Sequence, residues 1–276
     1  MKWDILHRTR YDYASAVCDN ANEVCLQPMA STEQTVESFL LKILPPTRLT
    51  HLVDSFGNSI SHFVITEPHT TLTVEASSRV RTHPTAPLSL SEPLCAWADM
   101  LAIPKIAGEV DYLSPSRFVE NSPEAGRLAL AATFGREDAW QAVVALLAFV
   151  HGFLKYESFS THVHTHMAEV LRDQRGVCQD FAHVLIGLCH ALQIPARYVS
   201  GYLATEAASA THAWVEVFLP GHGWRGLDPT HNRQTDEIYI KIGHGRDYAD
   251  VPPVSGKYRG TLIHQMHVTV AITPVG

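Results

Sequence analysis

No stretch of this 276-residue chain approaches the roughly 20 consecutive apolar residues of a membrane-spanning helix. Its start, Met1-Lys2-Trp3-Asp4-Ile5, runs into polar residues without the apolar core of a signal peptide. The expected address is cytoplasmic, with no membrane partner. Positive charge is also scarce: 21 Lys and Arg against 28 Asp and Glu give a net charge of −7 with His neutral. That balance offers no electrostatic footprint for nucleic acid. Cysteine is sparse and unpaired in pattern, with five residues at 18, 25, 95, 178 and 189 and no C-x-x-C. An odd count without such pairs argues against a disulfide scaffold and for free thiols. There is no H-E-x-x-H helix, no EF-hand loop and no internal repeat, so neither calcium activation nor a solenoid is expected. No cofactor and no metal are expected, and the sequence leaves the oligomeric state open.

What is present is a 46% hydrophobic composition whose periodicity changes along the chain. Up to about residue 83 it is rich in alternation and β-branched residues, as in Phe39 to Leu44, Ile60 to Thr66 and Thr71 to Val80, which predicts an antiparallel β domain over 1–83. His83-Pro84 and Ala86-Pro87 mark a linker. Residues 84–276 then read as a second domain. Helical patterns run over Glu92 to Leu101, Pro123 to Phe134 and Asp138 to Leu154, with Pro123 suited to a first helical turn. Strands are predicted near Ala196 to Ala204, Ala213 to Leu219, Trp224 to Leu227, Ile238 to Ile242 and Gln265 to Ile272. In the last of these Met266, Val268, Val270 and Ile272 alternate with His267, Thr269 and Ala271, so one face should be buried. The fold class is α+β.

Three short motifs carry the chemistry: Gly-Val-Cys-Gln-Asp-Phe around Cys178, Thr-His-Ala-Trp-Val-Glu-Val around His212, and Gly-Leu-Asp-Pro-Thr around Asp228. A thiol is a strong nucleophile as its thiolate, an imidazole can take the proton, and a carboxylate can fix the imidazole's tautomer. Phe181, Val184, Leu185, Leu188 and Leu192 recur at helical spacing after Gly176, which places Cys178 in the first turn of a buried helix. There the unpaired N–H groups favour a thiolate and can hold an oxyanion. The strand beginning at His212 and the returning Trp224 to Leu227 read as a hairpin that brings Asp228 beside His212.

These residues, in this order, resemble the transglutaminase-like superfamily, whose core is papain-like in catalytic arrangement. The run from Ile194 to Tyr202 is similar to the family's helix-to-strand connection, and Gly245 to Pro253 resembles its bacterial branch. Tyr11-Asp12-Tyr13 and Asp54-Ser55-Phe56-Gly57-Asn58 resemble the β-rich domain that precedes the core there. The resemblance implies a Cys-His-Asp enzyme: a core with the Cys-bearing helix packed on an antiparallel sheet, and acyl transfer through a thioester on Cys178. The expected substrate is a peptide, isopeptide or glutamine-like amide, with hydrolysis favoured over transfer to an amine as in a protein-glutamine transglutaminase.

Tyr156 and Gln174 are candidates for a second oxyanion donor, and Gln179, Asp180 and Trp214 for the pocket. Asp180 is equally readable as a helix N-terminal carboxylate, and Trp214 and Trp224 as core aromatics. Cys189 reads as a small core residue, His183 as structural, and Glu216 as part of a polar strand face. His162, His164 and His166, with His183 and His190, admit a zinc metallohydrolase as an alternative of another class. A non-catalytic binding module of the same fold is the third reading.

Overall fold

The computed structural model describes residues 1–90, 92–101, 110–204, 209–261 and 263–275. The chain opens with an unusually long strand, β1 (Lys2–Val24), followed by β2 (Gln34–Leu44), β3 (Thr50–Val53), β4 (Ser59–Ile65) and β5 (His69–Thr82). Their order in the sheet is β2-β5-β1-β4-β3, all antiparallel neighbours. β1 pairs with β5 over residues 2–12 and with β4 over 20–24, and an irregularity between Asp12 and Val17 separates the two runs. The alternation read from the sequence is physical: Trp3, Ile5, His7 and Thr9 point inward while Leu6 is exposed.

The segment after β5 carries a shorter helix than the sequence predicts. The pattern from Glu92 narrows to α1 (Trp97–Leu101), because Leu94 and Cys95 lie outside the helix and donate their N–H groups to Asp138 Oδ2 at 3.0 and 2.6 Å. The other two helices form where expected. α2 (Pro123–Ala132) starts with Ser122 as its cap and Pro at the first turn. α3 (Ala139–Phe153) is capped by Asp138 Oδ1, which accepts from the N–H groups of Trp140 and Gln141. A short parallel pair, β6 (Lys155–Tyr156) with β7 (Arg175–Gly176), encloses α4 (Met167–Asp173) and leads into α5 (Cys178–Ala191).

α5 is surrounded. Every residue from Gln179 to His190 is buried, with α2, α3 and α4 packed on it along with the second sheet. That sheet comprises β8 (Ala196–Ala204), β9 (Ser209–Leu219), β10 (Gly223–Asp228), β11 (Arg233–Gln234) and β12 (Tyr239–Gly245), in the order β11-β10-β9-β8-β12. Ala213, Val215, Val217 and Leu219 of β9 join Phe181, Val184, Leu185 and Leu188 of α5 in one core. Each such aliphatic side chain contributes about 1.5–3 kcal/mol on burial. Gly221 and Gly223, with φ of +78° and +71°, make the β9–β10 turn that brings Asp228 back beside the start of β9.

The chain does not end in this layer. β13 (Val254–Arg259) and β14 (His264–Pro274) both pair antiparallel with β1, so the C-terminal strands complete the first sheet. The expected division assigned them, within 84–276, to the second unit; pairing partners so distant in sequence leave no local trace. The expected buried face of Gln265 to Ile272 is also only half formed: Val270 and Ile272 pack against the main core, while Met266 and Val268 stay 56% and 47% exposed. The two sheets are joined by the Asp54–Asn58 turn. Asp54 Oδ1 accepts from the N–H groups of Phe56 and Asn58, and the Asn58 amide exchanges two 2.8 Å bonds with the backbone of His244 on β12.

Candidate active site

Cys178 stands at the head of α5, partly exposed, and its neighbourhood is fixed by a carboxylate two residues on. Asp180 is fully buried, and its Oδ2 accepts from Val177 N at 2.8 Å and from Thr161 Oγ1 at 2.6 Å. It therefore holds the entry to the helix and does not face the cleft. Burial raises its pKa above the ordinary carboxylate value, against the hydrogen bonds from Thr161 and Val177, which lower it. Gly176 is required for steric reasons, since a Cβ there would lie 2.6 Å from Asp180 Cβ and Oδ2. Three other thiols are buried and inert in setting: desolvation pushes Cys25 and Cys189 up to about 12 and Cys95 to about 11.

His212 lies on β9, nearly buried, with its Nε2 2.7 Å from Asp228 Oδ2. Cys178 lines the same cleft as the ring and is among the groups that raise its pKa. Desolvation alone would depress the imidazole's pKa. The bond to Asp228 and the charges of Asp228 and Cys178 outweigh burial and raise it to about 9. Asp228, fully buried, is held in turn from several sides. Oδ2 also receives His231 Nδ1 and the Tyr239 hydroxyl, each at 2.7 Å, and Oδ1 accepts from the N–H groups of Thr230 at 2.9 Å and His231 at 3.2 Å. Burial works to raise the pKa of Asp228, but the bonds from His212, His231 and Tyr239 hold it well below the ordinary range. The Tyr239 hydroxyl is pushed far above 10, first by burial and then by the Asp228 charge. The arrangement favours an ionised carboxylate beside a protonated imidazole.

The sequence reading missed His231 and Tyr239. His231 follows Asp228 by three residues in Asp-Pro-Thr-His, a spacing that lets a turn fold its ring back on the carboxylate. Tyr239 comes from β12, beyond any local signal. Of the remaining candidates, Gln179 lines the cleft and donates its side-chain N–H to Val163 O at 3.3 Å. Tyr156 is 53% exposed; its hydroxyl pKa is raised by burial and by the Cys178 charge. Gln174 is exposed, closes α4 in a left-handed conformation and is not among the residues lining the cleft. Trp214 is buried with its ring 6.4 Å from His212 and packed edge-on to Tyr239 at 5.4 Å, so it shields the imidazole and does not face the cleft.

Glu216 departs from its expected place on a polar face. It is buried, bonded to Arg197 Nε and to Lys241 Nζ at 2.7 Å each, and Arg197 stacks on Trp224 at 3.9 Å. Burial would raise the Glu216 pKa, but Lys241 and Arg197 bring it down to about 2. His183 is buried against Phe118, while His162, His164 and His166 are exposed. These histidines form no three-ligand group among the described residues. Such a group does occur at His212, Asp228 and His231, whose ligand atoms lie within 4.8 Å of one another. There both rings already contact one carboxylate oxygen at 2.7 Å, an arrangement of shared protons.

Cys178 and His212 open on a cleft of about 260 Å³. One wall comes from α5, β8 and β9; the other comes from the first sheet, through His7, Thr9 and Tyr11 of β1 and Met266 and Val268 of β14.

A family model described as the transglutaminase-like superfamily core matches residues 127–229, and one for the bacterial transglutaminase-like N-terminal region matches residues 3–81. An uncharacterised protein of Mycobacterium leprae is 32% identical over 98% of this chain and 97% of its own length. The solved structure of a proposed cysteine protease from Cytophaga hutchinsonii superposes with a TM-score of 0.82 at 25% identity, covering 100% of this chain and 92% of that one. A protein-glutamine gamma-glutamyltransferase of Pseudomonas aeruginosa is 32% identical over 100 residues, which are 31% of this chain and 15% of that protein.

Proposed function

Because this chain belongs to the transglutaminase-like superfamily, whose cysteine-dependent members are hydrolases and transferases, we propose that it cleaves amide bonds through a thioester on Cys178. The observation that carries this reading is the buried His212 ring, which lines the same cleft as Cys178 and is bonded through Nε2 to Asp228 Oδ2 at 2.7 Å, a partner that favours its protonated form. In this mechanism Cys178 attacks the carbonyl carbon as thiolate, and the carbonyl electrons move onto oxygen. The N–H groups at the head of α5 stabilise that oxyanion, with the Tyr156 hydroxyl, whose pKa is raised by burial and by the Cys178 charge, as the candidate second donor. The His212 imidazolium then gives its proton to the departing nitrogen as the C–N bond breaks. Neutral His212 next takes a proton from water, whose oxygen displaces Cys178 and releases the acid. Asp228 keeps the imidazole in the required tautomer throughout.

A peptide, isopeptide or glutamine-like amide supplies the acyl group. Water at about 55 M is the default acceptor, and none of the described residues lining the cleft is a carboxylate that would hold an amine cation. Transfer to an amine remains the second reading, favoured by the similarity of 100 residues to the Pseudomonas gamma-glutamyltransferase. Incubating the protein with peptide and amide libraries, with and without an added primary amine, and reading mass changes decides between them. Hydrolysis gives acid products in both arms, and transfer gives amine adducts. Turnover that persists in Cys178→Ala refutes both.

A further inference from the structure

The wall of the cleft opposite α5 has an unusual composition. Met266 and Val268 on β14 and Val163 before α4 are 56%, 47% and 46% exposed, and all three line the same cleft as Cys178 and His212. Exposed apolar side chains scattered singly mean little, but a contiguous set beside a reactive pair marks a surface that a ligand covers. Tyr11 of β1 completes it.

The same lining holds no Asp, Glu, Lys or Arg among its described residues. Its titratable groups outside the Cys178–His212 pair are neutral near pH 7. Burial lowers His7 to about 4, where its Nδ1 pairs with the Tyr202 hydroxyl at 2.9 Å and its Nε2 with Thr9 Oγ1 at 3.2 Å. Tyr11 is pushed up to about 12, first by burial, and Tyr198 and Tyr248 are also raised by burial. The charges of β1 nearest to it, Arg8 and Arg10, are engaged by Glu75 and Asp12. A charged group drawn into this cleft would lose water and find no counter-ion outside the Cys178–His212 pair, whereas an apolar group would cover surface that is now wet.

We infer that the first sheet determines substrate choice, with Tyr11, Met266, Val268 and Val163 seating an uncharged, apolar group next to the carbonyl that Cys178 attacks. The inference rests on the thioester reading and deepens it by naming the substrate class. It also gives β14 a role: the strand is short of core partners at Met266 and Val268 because those side chains face the substrate.

Haloacetamides test it without a known substrate, since the Cys178 sulfur displaces iodide and forms a C–S bond. Iodoacetamide serves as the small neutral reference. N-phenethyl-iodoacetamide carries an apolar arm, and N-(2-carboxyethyl)- and N-(2-aminoethyl)-iodoacetamide carry charged ones. Alkylation rates at Cys178 and at Cys18 are read on the full-length protein by peptide mass spectrometry. Relative to iodoacetamide, and corrected by the same ratio at Cys18, the apolar reagent should gain on the order of tenfold to a hundredfold at Cys178, the range one apolar pocket contact supplies. The charged reagents should gain nothing. Met266→Glu and Val268→Glu, at exposed positions, should each erase most of that gain, read as the ratio of the apolar rate to the iodoacetamide rate within the same variant, and Met266→Leu should retain it. Equal rates for apolar and charged reagents, or a gain that survives both Glu variants, overturns the inference. Failure of iodoacetamide to prefer Cys178 over Cys18 in the wild-type protein would instead refute the thioester reading, and the ratios between reagents would still report the cleft's preference.

Discussion

Asp228→Asn is a sharper perturbation here than its small volume change suggests. Asp228 Oδ1 accepts two backbone N–H groups, and Oδ2 meets His212 Nε2, His231 Nδ1 and the Tyr239 hydroxyl. An Asn has one acceptor oxygen. The two backbone donors cannot move without unwinding the turn, so they hold that oxygen and turn the NH₂ toward the other three groups. The His212 ring then loses both its acceptor and its counter-charge. Its pKa should fall from about 9 to its ordinary 6.5 or lower, since burial then acts against the Cys178 contribution alone. At about 1.36 kcal/mol per pH unit, the whole change would amount to roughly 3 kcal/mol. A loss of that size from imidazolium stabilisation corresponds to about a hundredfold in rate, and the wrong tautomer can extend it to about ten-thousandfold. The assay is a pH titration of the His212 ring by NMR in wild-type and Asp228→Asn proteins, beside kcat/KM on the best amide from the library screen. A variant within tenfold of wild type, with His212 still titrating near 9, would refute this reasoning.

Further outcomes follow from the same geometry. Amide turnover should fall on the alkaline side as pH rises through about 9, because His212 then enters the reaction without the proton it must give away; a pH–rate profile checks this. The sign for stability is the same. A histidine raised in the folded state contributes fully below about 6.5 and loses that contribution as pH approaches 9, so the melting-temperature gap between wild type and His212→Gln should shrink over that interval. Gly176→Ala should displace the Asp180 carboxylate from Val177 N and Thr161, lowering stability by about 2 kcal/mol in urea unfolding and slowing Cys178 alkylation. Glu216→Gln leaves Lys241 and Arg197 buried without their counter-charge and should cost about 3–5 kcal/mol in the same assay, while the His212 titration stays in place.

How far the sequence could be read depended on the range of each signal. The helix start that carries Cys178 and the hairpin that sets Asp228 beside His212 were legible because each follows local rules; that the two elements face one cleft comes from tertiary packing. Glu216 misled for the opposite reason. Alternation assigned it to a polar face, but the β8–β9 register sets Arg197 directly across from it, and Lys241 of β12 completes a buried ion pair network that no single-strand pattern reveals. The return of β13 and β14 to β1 was hidden because strand pairing across some 250 residues has no local marker. The cleft wall built from Tyr11 and Met266 follows from that same long-range closure, whereas Tyr239 reaches Asp228 from β12 at the edge of the second sheet. His231 was within reach: three residues after a carboxylate, in a turn, it had a side-chain partner available from the start.

Selective alkylation of Cys178 tests the central claim most directly. Brief treatment with limiting iodoacetamide near pH 6, followed by peptide mass spectrometry, compares all five thiols in one sample. At that pH an unperturbed thiol is under about 1% ionised, so labelling reports a thiolate held by its neighbours. The account predicts that Cys178 is labelled first, and that His212→Ala removes its advantage over the half-buried Cys18. Equal labelling of Cys178 and Cys18, or a Cys178 rate unchanged by His212→Ala, would contradict it.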